Sequence, residues 1–260
     1  MLLNMKELQK LGSDMLQEVS RICEDNNIRW YMAYGSALGA IRHNGPIPWD
    51  YDIDIYVPNE EIQRFLDVMK VNLSSKYWVD YRVNTKYKRS FPRIGLAGYD
   101  TEVLHIDVYR LSGLPENTNY FRLFALYSRI LFVFWKARVV DIDSYYPDNK
   151  RRIITKIAKV VSFWIPQQWI LDQLDKQAAR IPLDEAKYAS CPFDTQSLDK
   201  RVRKEVFDDS ILVNYSGFDV RVPKNYDEYL TTEYGDWHSF PSIKERERQL
   251  KKLYEVKELK

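Results

Sequence analysis

The sequence predicts an α/β fold with a mainly helical extension and a hairpin followed by a helix near its end. Strand-like and helix-like hydrophobic spacing alternate up to residue 111, and helical spacing prevails from residue 120 to about residue 180. A turn signal then separates two short strand-like segments near residue 216. With 260 residues, of which 45% are hydrophobic, the chain is long enough to bury a substantial core.

The first element is an amphipathic helix over residues 5–25. Its apolar residues recur at steps of three and four positions, the spacing of one helix face; they are Leu8, Leu11, Met15, Val19 and Ile22. Residues 28–33 are apolar and aromatic, which favours a short buried strand leading directly into Gly35 and Ser36. One or two helical turns follow over residues 37–43, and residues 44–46 (Asn-Gly-Pro) end them.

The period-two pattern of residues 52–57 predicts the next strand, and Asn59 is expected to cap the helix that follows it. Residues 77–84 and 92–97 give weaker strand signals, and residues 103–111 give a stronger one. Pro166 opens a helix that extends to about residue 180.

The last predicted elements are a hairpin and a short helix. Residues 211–215 and 218–222 flank the Ser216-Gly217 turn, which is typical of a two-residue hairpin loop. Asn225 and Glu228 have the spacing of a capping box, and Gly235 is expected to end the helix.

Charge and cysteine content exclude several classes of protein. The 39 Lys and Arg residues nearly balance the 37 Asp and Glu residues, whereas a dedicated nucleic-acid-binding protein would have a strong basic excess. Two cysteines, Cys23 and Cys191, are too few for a disulfide scaffold and suit a reducing compartment. Charged residues interrupt the N-terminal segment, so it does not resemble a signal peptide, and we expect a cytoplasmic protein.

The segment from residue 120 to residue 170 combines the most apolar stretch of the chain with a local excess of positive charge. It has nine Lys and Arg residues against three Asp and Glu residues, and these charges rule out a membrane-spanning helix. Two interpretations remain open: a pair of helices packed on the core, or a surface that contacts an anionic membrane. The second depends on apolar residues lying beside basic ones; the apolar residues are Phe132, Phe134, Trp135, Ile153, Ile157 and Trp164, and Lys156 and Lys159 are among the basic ones.

The chemically informative residues lie between positions 35 and 54. Residues i and i+2 of a strand point to the same face, so Asp52 and Asp54 should project side by side while Ile53 and Ile55 are buried on the other face. Two neighbouring carboxylates repel each other unless a divalent cation lies between them. Oxygen ligands of this kind suit Mg²⁺ or Mn²⁺.

A strand that enters Gly35-Ser36 and then a short helix would direct backbone N–H groups toward a docked phosphate. A third acid, Asp107, lies on another predicted strand and would reach the same cation if the two strands are neighbours. A phosphate cradle, an acidic pair and a third acid together suit metal-assisted phosphoryl or nucleotidyl transfer.

Three further residues each have two interpretations. Arg42 is either a solvated charge or a contact to a pyrophosphate, and His43 either bonds a carbonyl at the helix end or contacts a substrate. Trp49 is either an aromatic residue of the core or rim, or a platform for a base or a choline group.

The residues from Gly35 to Ile55, GSALGAIRHNGPIPWDYDIDI, closely resemble the signature of the LicD family. This family includes bacterial phosphocholine transferases and is related to fukutin-type ribitol-phosphate transferases. Further similar segments are residues 105–109 (HIDVY), 222–230 (VPKNYDEYL) and 234–237 (YGDW). The chain departs from the family pattern at Ser36, where a threonine is frequent, and at Tyr51, where a further aspartate is frequent.

The resemblance implies a nucleotidyltransferase-like fold, in which a small mixed β-sheet with flanking helices is followed by the helical extension. On that basis we expect a catalytic core over residues 1–115 and an extension over residues 116–260 that completes the substrate site. Carried over to this chain, the family pattern places Mg²⁺ or Mn²⁺ on Asp52 and Asp54. Asp107 would be a further metal ligand or the base for the acceptor hydroxyl.

The resemblance also implies the substrates. The donor would be a CDP-linked alcohol, with phosphocholine as the expected transferred group and CMP as the leaving group. The acceptor would be a sugar hydroxyl of a cell-surface glycan, a teichoic acid or a lipopolysaccharide-type precursor, free or lipid-linked. Gly35, Ser36 and Arg42 would bind the donor pyrophosphate, and Asp50, His43 and Trp49 would lie near the substrate.

Three functions are therefore considered: transfer of a phospho-alcohol to a glycan, nucleotidyl transfer to a small molecule or protein, and a non-catalytic binding role. The intact acids at positions 52, 54 and 107 weigh against a non-catalytic role, and the complete signature through Trp49 favours phospho-alcohol transfer. A lipid-linked acceptor would bring the protein to the inner face of the cell membrane as a peripheral protein.

Overall fold

A mixed β-sheet of seven strands lies at the centre of the computed structural model, which describes residues 1–82, 88–145, 148–194, 198–250 and 252–259. The described strands are β1 (Leu2–Leu3), β2 (Tyr31–Met32), β3 (Ile53–Pro58), β4 (Tyr77–Asp80), β5 (Arg93–Leu96), β6 (His105–Leu114), β7 (Tyr188–Ser190), β8 (Val202–Arg203), β9 (Ser210–Tyr215), β10 (Phe218–Pro223) and β11 (Tyr254–Glu255). The described helices are α1 (Met5–Asp25), α2 (Tyr34–His43), α3 (Ile62–Asn72), α4 (Thr118–Val139), α5 (Ile142–Tyr145), α6 (Asn149–Val161), α7 (Gln167–Ala178), α8 (Tyr226–Tyr234) and α9 (Ile243–Leu250). This architecture confirms the predicted α/β fold with a mixed sheet, flanking helices and a terminal hairpin and helix.

The sheet has the order β2-β3-β6-β5-β4, and β6 is its central strand. Strands β3 and β6 run parallel, while β2 pairs antiparallel with β3, and β5 pairs antiparallel with both β6 and β4. The far end of β6 pairs with β7, which in turn pairs with β8. The sheet therefore places β3, β6 and β5, which carry charged residues at matching positions, side by side.

Helix α1 matches its predicted bounds and packs on the sheet through its apolar face. Leu8 and Met15 on that face are fully buried. The helix begins with a capping box, in which the Asn4 side chain accepts a hydrogen bond from the Glu7 N–H and the Asn4 N–H donates to the Glu7 carboxylate. At Gly12 an added Cβ would lie only 2.8 Å from a side-chain carbon of Ile53, so glycine permits the close approach of α1 to β3.

Helix α2 begins three residues earlier than the sequence predicts, at Tyr34. Tyr34 has a positive φ of 45°, which turns the chain sharply from the short strand β2 into the helix. As a result, Gly35 and Ser36 belong to the first helical turn instead of preceding it. At the other end, an added Cβ on Gly39 would lie 2.6 Å from the Gly45 carbonyl oxygen, so the turn after α2 folds closely back onto the helix.

The remaining predictions outside the site have mixed outcomes. The hairpin is confirmed: Ser216 and Gly217 both have positive φ and join β9 to β10. Strands β4 and β5 confirm that the two weaker signals are strands, but the first is shorter than predicted: β4 ends at Asp80, residues 81–82 are not strand, and residues 83–84 lie outside the described residues.

The predicted cap at Asn59 is wrong, and Asn225 is the N-cap residue of α8 but does not form the predicted capping box. The Asn59 side chain accepts a hydrogen bond from Arg110, and α3 begins only at Ile62, after a 3₁₀ turn. The Asn225 side chain makes no capping bond, and its expected partner Glu228 is bound by Arg203 instead.

The helical extension packs against the sheet through α4 and α7. Leu131 and Trp135 of α4 and Leu174 of α7 are buried in the same hydrophobic cluster as Ile55 of β3. Residues from both sides of position 115 thus share one core, and the expected division at that position stays a prediction. Within the described part of the chain, no helix is both long and apolar enough to cross a bilayer.

Candidate active site

The acidic residues predicted from the sequence meet where β3 and β6 run side by side. In the parallel register, Asp54 of β3 lies directly opposite Asp107 of β6. Asp52 immediately precedes β3, and the neighbouring Ile53 and Ile55 are buried on the other side of the strand. The strand that carries the third acid is therefore adjacent to the strand that carries the acidic pair, the condition that the sequence left open.

The hydroxyl of Ser36 fixes the first turn of α2 to this acidic strand. It accepts a hydrogen bond of 2.8 Å from the backbone N–H of Asp54 and donates one of 3.3 Å to the carbonyl oxygen of Asp52. Ser36 is buried, so these bonds are shielded from water. Its hydroxyl thus positions Asp52 and Asp54 relative to α2, which we call the cradle helix because its first turn is the predicted phosphate cradle. The sequence pattern alone did not indicate this role.

The C-terminal part of the chain supports the same turn. The backbone N–H of Tyr34 donates a 2.8 Å hydrogen bond to the hydroxyl of Tyr229, a fully buried residue of α8. Tyr229 belongs to the segment 222–230 that resembles the family pattern, so this bond gives that late motif a structural role beside the cradle.

Desolvation and mutual repulsion raise the pKa values of two acids of the site. Desolvation, followed by the negative charges of Asp50 and Asp107, raises the pKa of Asp52 to about 7, although part of its side chain reaches solvent. For Asp54, desolvation is again the largest cause, followed by the negative charges of Asp107 and Asp52. Together they raise the pKa of Asp54 well above its ordinary value. Both carboxyls therefore hold protons at a pH at which a solvated aspartate is ionised.

Asp107 behaves in the opposite way because it has a cationic partner. Nε of Arg93 lies 2.6 Å from Oδ1 of Asp107, and Nε2 of His105 lies 3.4 Å from the same oxygen. Burial alone would raise the pKa of Asp107, but the charges of Arg93 and His105 outweigh it and hold the pKa well below its ordinary value. The site thus contains one firmly ionised carboxylate beside two that lack a comparable counter-charge.

This donor set fits a hard divalent cation, because clustered carboxylates with raised pKa values become favourable when a cation neutralises them. In the described residues, no group of three His, Cys, Asp or Glu side chains is already arranged around a single metal position. Asp107 is engaged by Arg93, so the acids that remain to receive a cation are Asp52 and Asp54, with Asp107 directly beside them.

A cavity of about 370 Å³ opens on the α2 side of the acids, between the cradle helix and the loop after α8. Gly35 lines this cavity next to Asp50; a Cβ at its position would lie 3.5 Å from the Asp50 carboxylate, an ordinary van der Waals distance. The lining is mixed aromatic and polar; among others it contains Gly35, Arg42, Trp49, Asp50, Tyr234 and Phe240.

Arg42 and His43 are held at the edge of this cavity by the same loop. The Arg42 guanidinium donates a 2.8 Å hydrogen bond to the Trp237 carbonyl oxygen and lies 4.6 Å above the ring of Phe240. His43 and Trp49 form edge-to-face ring contacts with each other and with Phe240. Trp49 is therefore part of an aromatic cluster that reaches the cavity, and it is only half-buried.

A second cavity of about 360 Å³ lies between the sheet and α4. Asp107 and Arg93 form part of its wall, which also contains basic and aromatic side chains; they include Arg89, Phe91, Tyr109, Trp135, Lys136 and Tyr145. The two cavities share no lining residue; Asp50 lines the first and Asp107 lines the second.

Sequence reasoning missed the residues that organise the site from a distance. Arg93 is a single arginine in a segment with a weak strand signal. Its contact with Asp107 depends on β5 lying beside β6, which the sequence pattern did not indicate. The loop containing Trp237 and Phe240 overlaps a recognised family segment, but no pattern in it indicated contact with Arg42. A contact between residues nearly 200 positions apart leaves no trace in local spacing.

Comparison with known proteins gives a consistent result. Residues 27–139 match the family described as LicD/FKTN/FKRP, nucleotidyltransferase domain. The chain is 23% identical over 255 residues to the lipopolysaccharide cholinephosphotransferase LicD of Haemophilus influenzae, and the match covers 92% of this chain and 93% of that protein. A shorter segment of 51 residues is 39% identical to the human ribitol 5-phosphate transferase FKRP, covering 18% of this chain and 10% of that protein.

Proposed function

We propose that this protein is a phospho-alcohol transferase, because residues 27–139 match the LicD/FKTN/FKRP nucleotidyltransferase-domain family. Its reaction would move phosphocholine, or a related phospho-alcohol, from a CDP-activated donor to a sugar hydroxyl of a cell-surface glycan or its lipid-linked precursor. The proposal draws on homology along nearly the whole chain to a cholinephosphotransferase that acts on lipopolysaccharide.

The observation that carries the proposal is the pairing of Asp54 with Asp107 on adjacent parallel strands, directly behind the first turn of α2. Transfer of a substituted phosphate needs positive charge near the phosphate oxygens and an acceptor hydroxyl held in line with the leaving oxygen. In this proposal the acids would hold the positive charge, and the two cavities would hold the donor and the acceptor.

We assign Asp52 and Asp54 as the residues that would hold Mg²⁺ or Mn²⁺, with Asp107 as a further oxygen ligand. When bound, the cation would neutralise charge on the donor diphosphate. Arg93 and His105 already engage Asp107. That engagement favours Asp107 as a fixed negative charge of the site over Asp107 as the base for the acceptor hydroxyl.

The donor is assigned to the cavity beside α2. Gly35 would contact the pyrophosphate, and Arg42 at the far end of α2 would add positive charge. The Trp49 and Phe240 rings would face the base or the choline group.

The acceptor is assigned to the second cavity, which borders Asp107 and Arg93. A sugar hydroxyl in this cavity would approach the transferred phosphorus from the side opposite the leaving nucleotide. The oxygen–phosphorus bond to the acceptor forms, the bond between that phosphorus and the bridging oxygen breaks, and CMP leaves with the bridging oxygen. The hydroxyl proton passes to a carboxylate of the site or to water.

Product analysis tests the proposal. The full chain is incubated with Mg²⁺ and, separately, CDP-choline, CDP-ribitol, CDP-glycerol and nucleoside triphosphates, each with a cell-wall or lipopolysaccharide glycan extract as acceptor. Release of CMP that depends on both acceptor and Asp54 is the expected result. Pyrophosphate from a nucleoside triphosphate would instead indicate nucleotidyl transfer, and no product from any donor would contradict the proposal.

A further inference from the structure

Helix α6 packs on the protein with the opposite of the usual orientation. Its small residues Thr155 and Ala158 are buried against the rest of the extension, while the large apolar residues on the other side face solvent. Val160 is 75% exposed, and Trp164, in the turn after the helix, is 86% exposed. An amphipathic helix of a monomeric domain normally buries its large apolar face, so this face is expected to have a partner outside the chain.

We define the α6 apolar surface by six exposed residues: Ile153, Ile154, Ile157, Val160, Val161 and Trp164. Leu123 and Leu126 of α4 are also exposed, and α4 and α6 pack against each other. The two interpretations of residues 120–164 thus apply to different parts. Trp135 belongs to the core and Phe132 and Phe134 pack against it, whereas Ile153, Ile157 and Trp164 are on the surface.

Positive charges border this surface. Lys150, Arg151, Lys156 and Lys159 are all exposed, and residues 149–164 contain no Asp or Glu. Some of these charges are paired within the chain, for example Lys156 with Asp143 at 2.7 Å. Lys150 and Lys159 form no ion pair with any described residue.

The combination of exposed apolar residues and a basic border distinguishes between occupants. A second copy of the chain on this surface would bring the two sets of lysines together, which is unfavourable. An anionic lipid bilayer accepts apolar side chains at the depth of the acyl chains and binds lysine and arginine at its headgroups. Exposed tryptophan and phenylalanine, such as Trp164 and Phe163, are also favoured at that interface.

We propose that the α6 apolar surface is a peripheral membrane-binding site for an anionic bilayer, with α6 lying in the plane of the interface. Binding at this site does not depend on the transferase reaction. One consequence does rest on the proposed function: Trp135 and Lys136 of α4 line the acceptor cavity, so a membrane-bound α4–α6 pair would bring that cavity close to a lipid-linked glycan.

Vesicle flotation tests the binding without any substrate. The full chain is mixed with vesicles of phosphatidylcholine alone or of equimolar phosphatidylcholine and phosphatidylglycerol, at about 50 mM and about 500 mM salt. We expect the protein to float with the anionic vesicles at low salt, and much less with neutral vesicles or at high salt. Failure to float with anionic vesicles at low salt, or equal flotation with neutral ones, would overturn the proposal.

Two matched pairs of variants locate the site. Ile157→Asp with Trp164→Ser should weaken binding at least tenfold, while the control, Val71→Asp with Leu212→Ser at exposed positions of α3 and β9, should leave it unchanged. Lys156→Glu with Lys159→Glu should also weaken it, whereas Lys6→Glu with Lys10→Glu on α1 changes the charge equally and should have much less effect.

All the substituted side chains are exposed, so circular dichroism and thermal melting should match the wild type. Equal losses in the test and control variants would overturn the assignment to α6. Sedimentation that shows a dimer abolished by Ile157→Asp would also overturn it, in favour of a second copy as the occupant.

Discussion

Nε of Arg93 lies 2.6 Å from Oδ1 of Asp107, and the two residues are direct partners on the antiparallel strands β5 and β6. On the other side of β6, Asp107 is the partner of Asp54 on the parallel strand β3. Three adjacent strands thus place the guanidinium of Arg93 and the carboxylates of Asp107 and Asp54 in one row. The charge of Arg93 offsets part of the repulsion between the carboxylates, which lets both occupy a buried part of the sheet.

Replacing Arg93 tests this relationship. In Arg93→Met the carboxylate of Asp107, which is 7% exposed, loses its main cationic partner, and removing one member of a buried ion pair costs about 3–5 kcal/mol of folding free energy. We expect a lower denaturant midpoint and a loss of transferase activity. Arg93→Lys keeps the charge without the planar guanidinium, so its denaturant midpoint and activity should lie between those of the wild type and Arg93→Met. Wild-type stability in Arg93→Met would contradict the role given to this pair.

The second prediction concerns Asp54. Asp54→Asn keeps the shape of the side chain but removes a charge that would hold the metal, so turnover should fall by about two orders of magnitude or more. At a pH at which Asp54 is ionised, the metal-free variant should melt at a higher temperature than the metal-free wild type, because a half-buried carboxylate that its neighbours repel has been removed.

The matched control for Asp54→Asn is Asp67→Asn, an equivalent change on the exposed face of α3. It should alter neither turnover nor melting temperature. Full activity of Asp54→Asn at saturating donor would refute the metal assignment, even if its stability rises as expected.

The third prediction concerns pH and metal. Burial and neighbouring charges raise the pKa of Asp52 to about 7 and also raise that of Asp54, so the folded protein retains protons that the unfolded chain has released. These two residues therefore lower the stability of the metal-free protein as pH rises from about 4 to 7. His105, whose pKa burial and the charge of Arg93 lower, acts in the opposite direction.

Comparison with Asp54→Asn separates these contributions. Between pH 5 and pH 8, the melting temperature of the metal-free wild type should fall relative to that of the variant. Mg²⁺ or Mn²⁺ should raise the wild-type melting temperature more at pH 8 than at pH 5, because the cation competes with protons for the same oxygens. An equal metal effect at both pH values, or one that persists in Asp54→Asn, would contradict a site built on this residue.

Local spacing predicted those parts of the fold whose stability is local. The three- and four-residue period of α1, the alternation around Asp54 and the Ser216-Gly217 turn each determine their element within a few residues, and the structure confirms all three. The cap predicted at Asn59 is wrong because Arg110, which is distant in sequence, donates to its side chain. Asn225 does precede α8, but its capping box does not form, and Arg203 binds Glu228, the expected second member of the box. A capping pattern is only one of several hydrogen-bonding choices open to such residues.

The candidate site shows the same limit. Asp52, Asp54 and Asp107 were found from strand period and family resemblance, and the β3–β6 register brings the last two together. The positioning roles of Ser36 and Arg93 depend on which backbone groups and strands become neighbours. The exposed face of α6 could not be predicted either, because the hydrophobic period identifies an apolar face without saying whether the protein covers it.

The fourth prediction concerns the Ser36 hydroxyl, which joins the cradle turn to the acidic strand. Ser36→Ala leaves the buried N–H of Asp54 without its partner, a change that costs about 1–3 kcal/mol. We expect lower stability and a lower turnover number, because Asp54 loses its fixed position. Ser36→Thr keeps the hydroxyl and should retain most of the activity. If Ser36→Ala instead raises only the Michaelis constant for the donor, its hydroxyl contacts the substrate directly.

The last prediction distinguishes the two cavities. Trp49 lines the cavity assigned to the donor and packs with His43 and Phe240, whereas Tyr145 lines the cavity assigned to the acceptor. Loss of an aromatic platform under a base costs about 1–3 kcal/mol of binding free energy, so Trp49→Ala should raise the Michaelis constant for the donor about tenfold or more. The effect on the acceptor constant should be small.

Two variants act as controls for that experiment. Trp49→Phe keeps an aromatic ring and should restore most of the donor affinity, which separates loss of stacking from collapse of the loop around Phe240. Tyr145→Ala should raise the acceptor constant and leave the donor constant unchanged, because Tyr145 lines the cavity assigned to the acceptor and not the one assigned to the donor. The reverse pattern would exchange the assignments of the two cavities, and equal effects of both variants on both constants would contradict separate donor and acceptor sites.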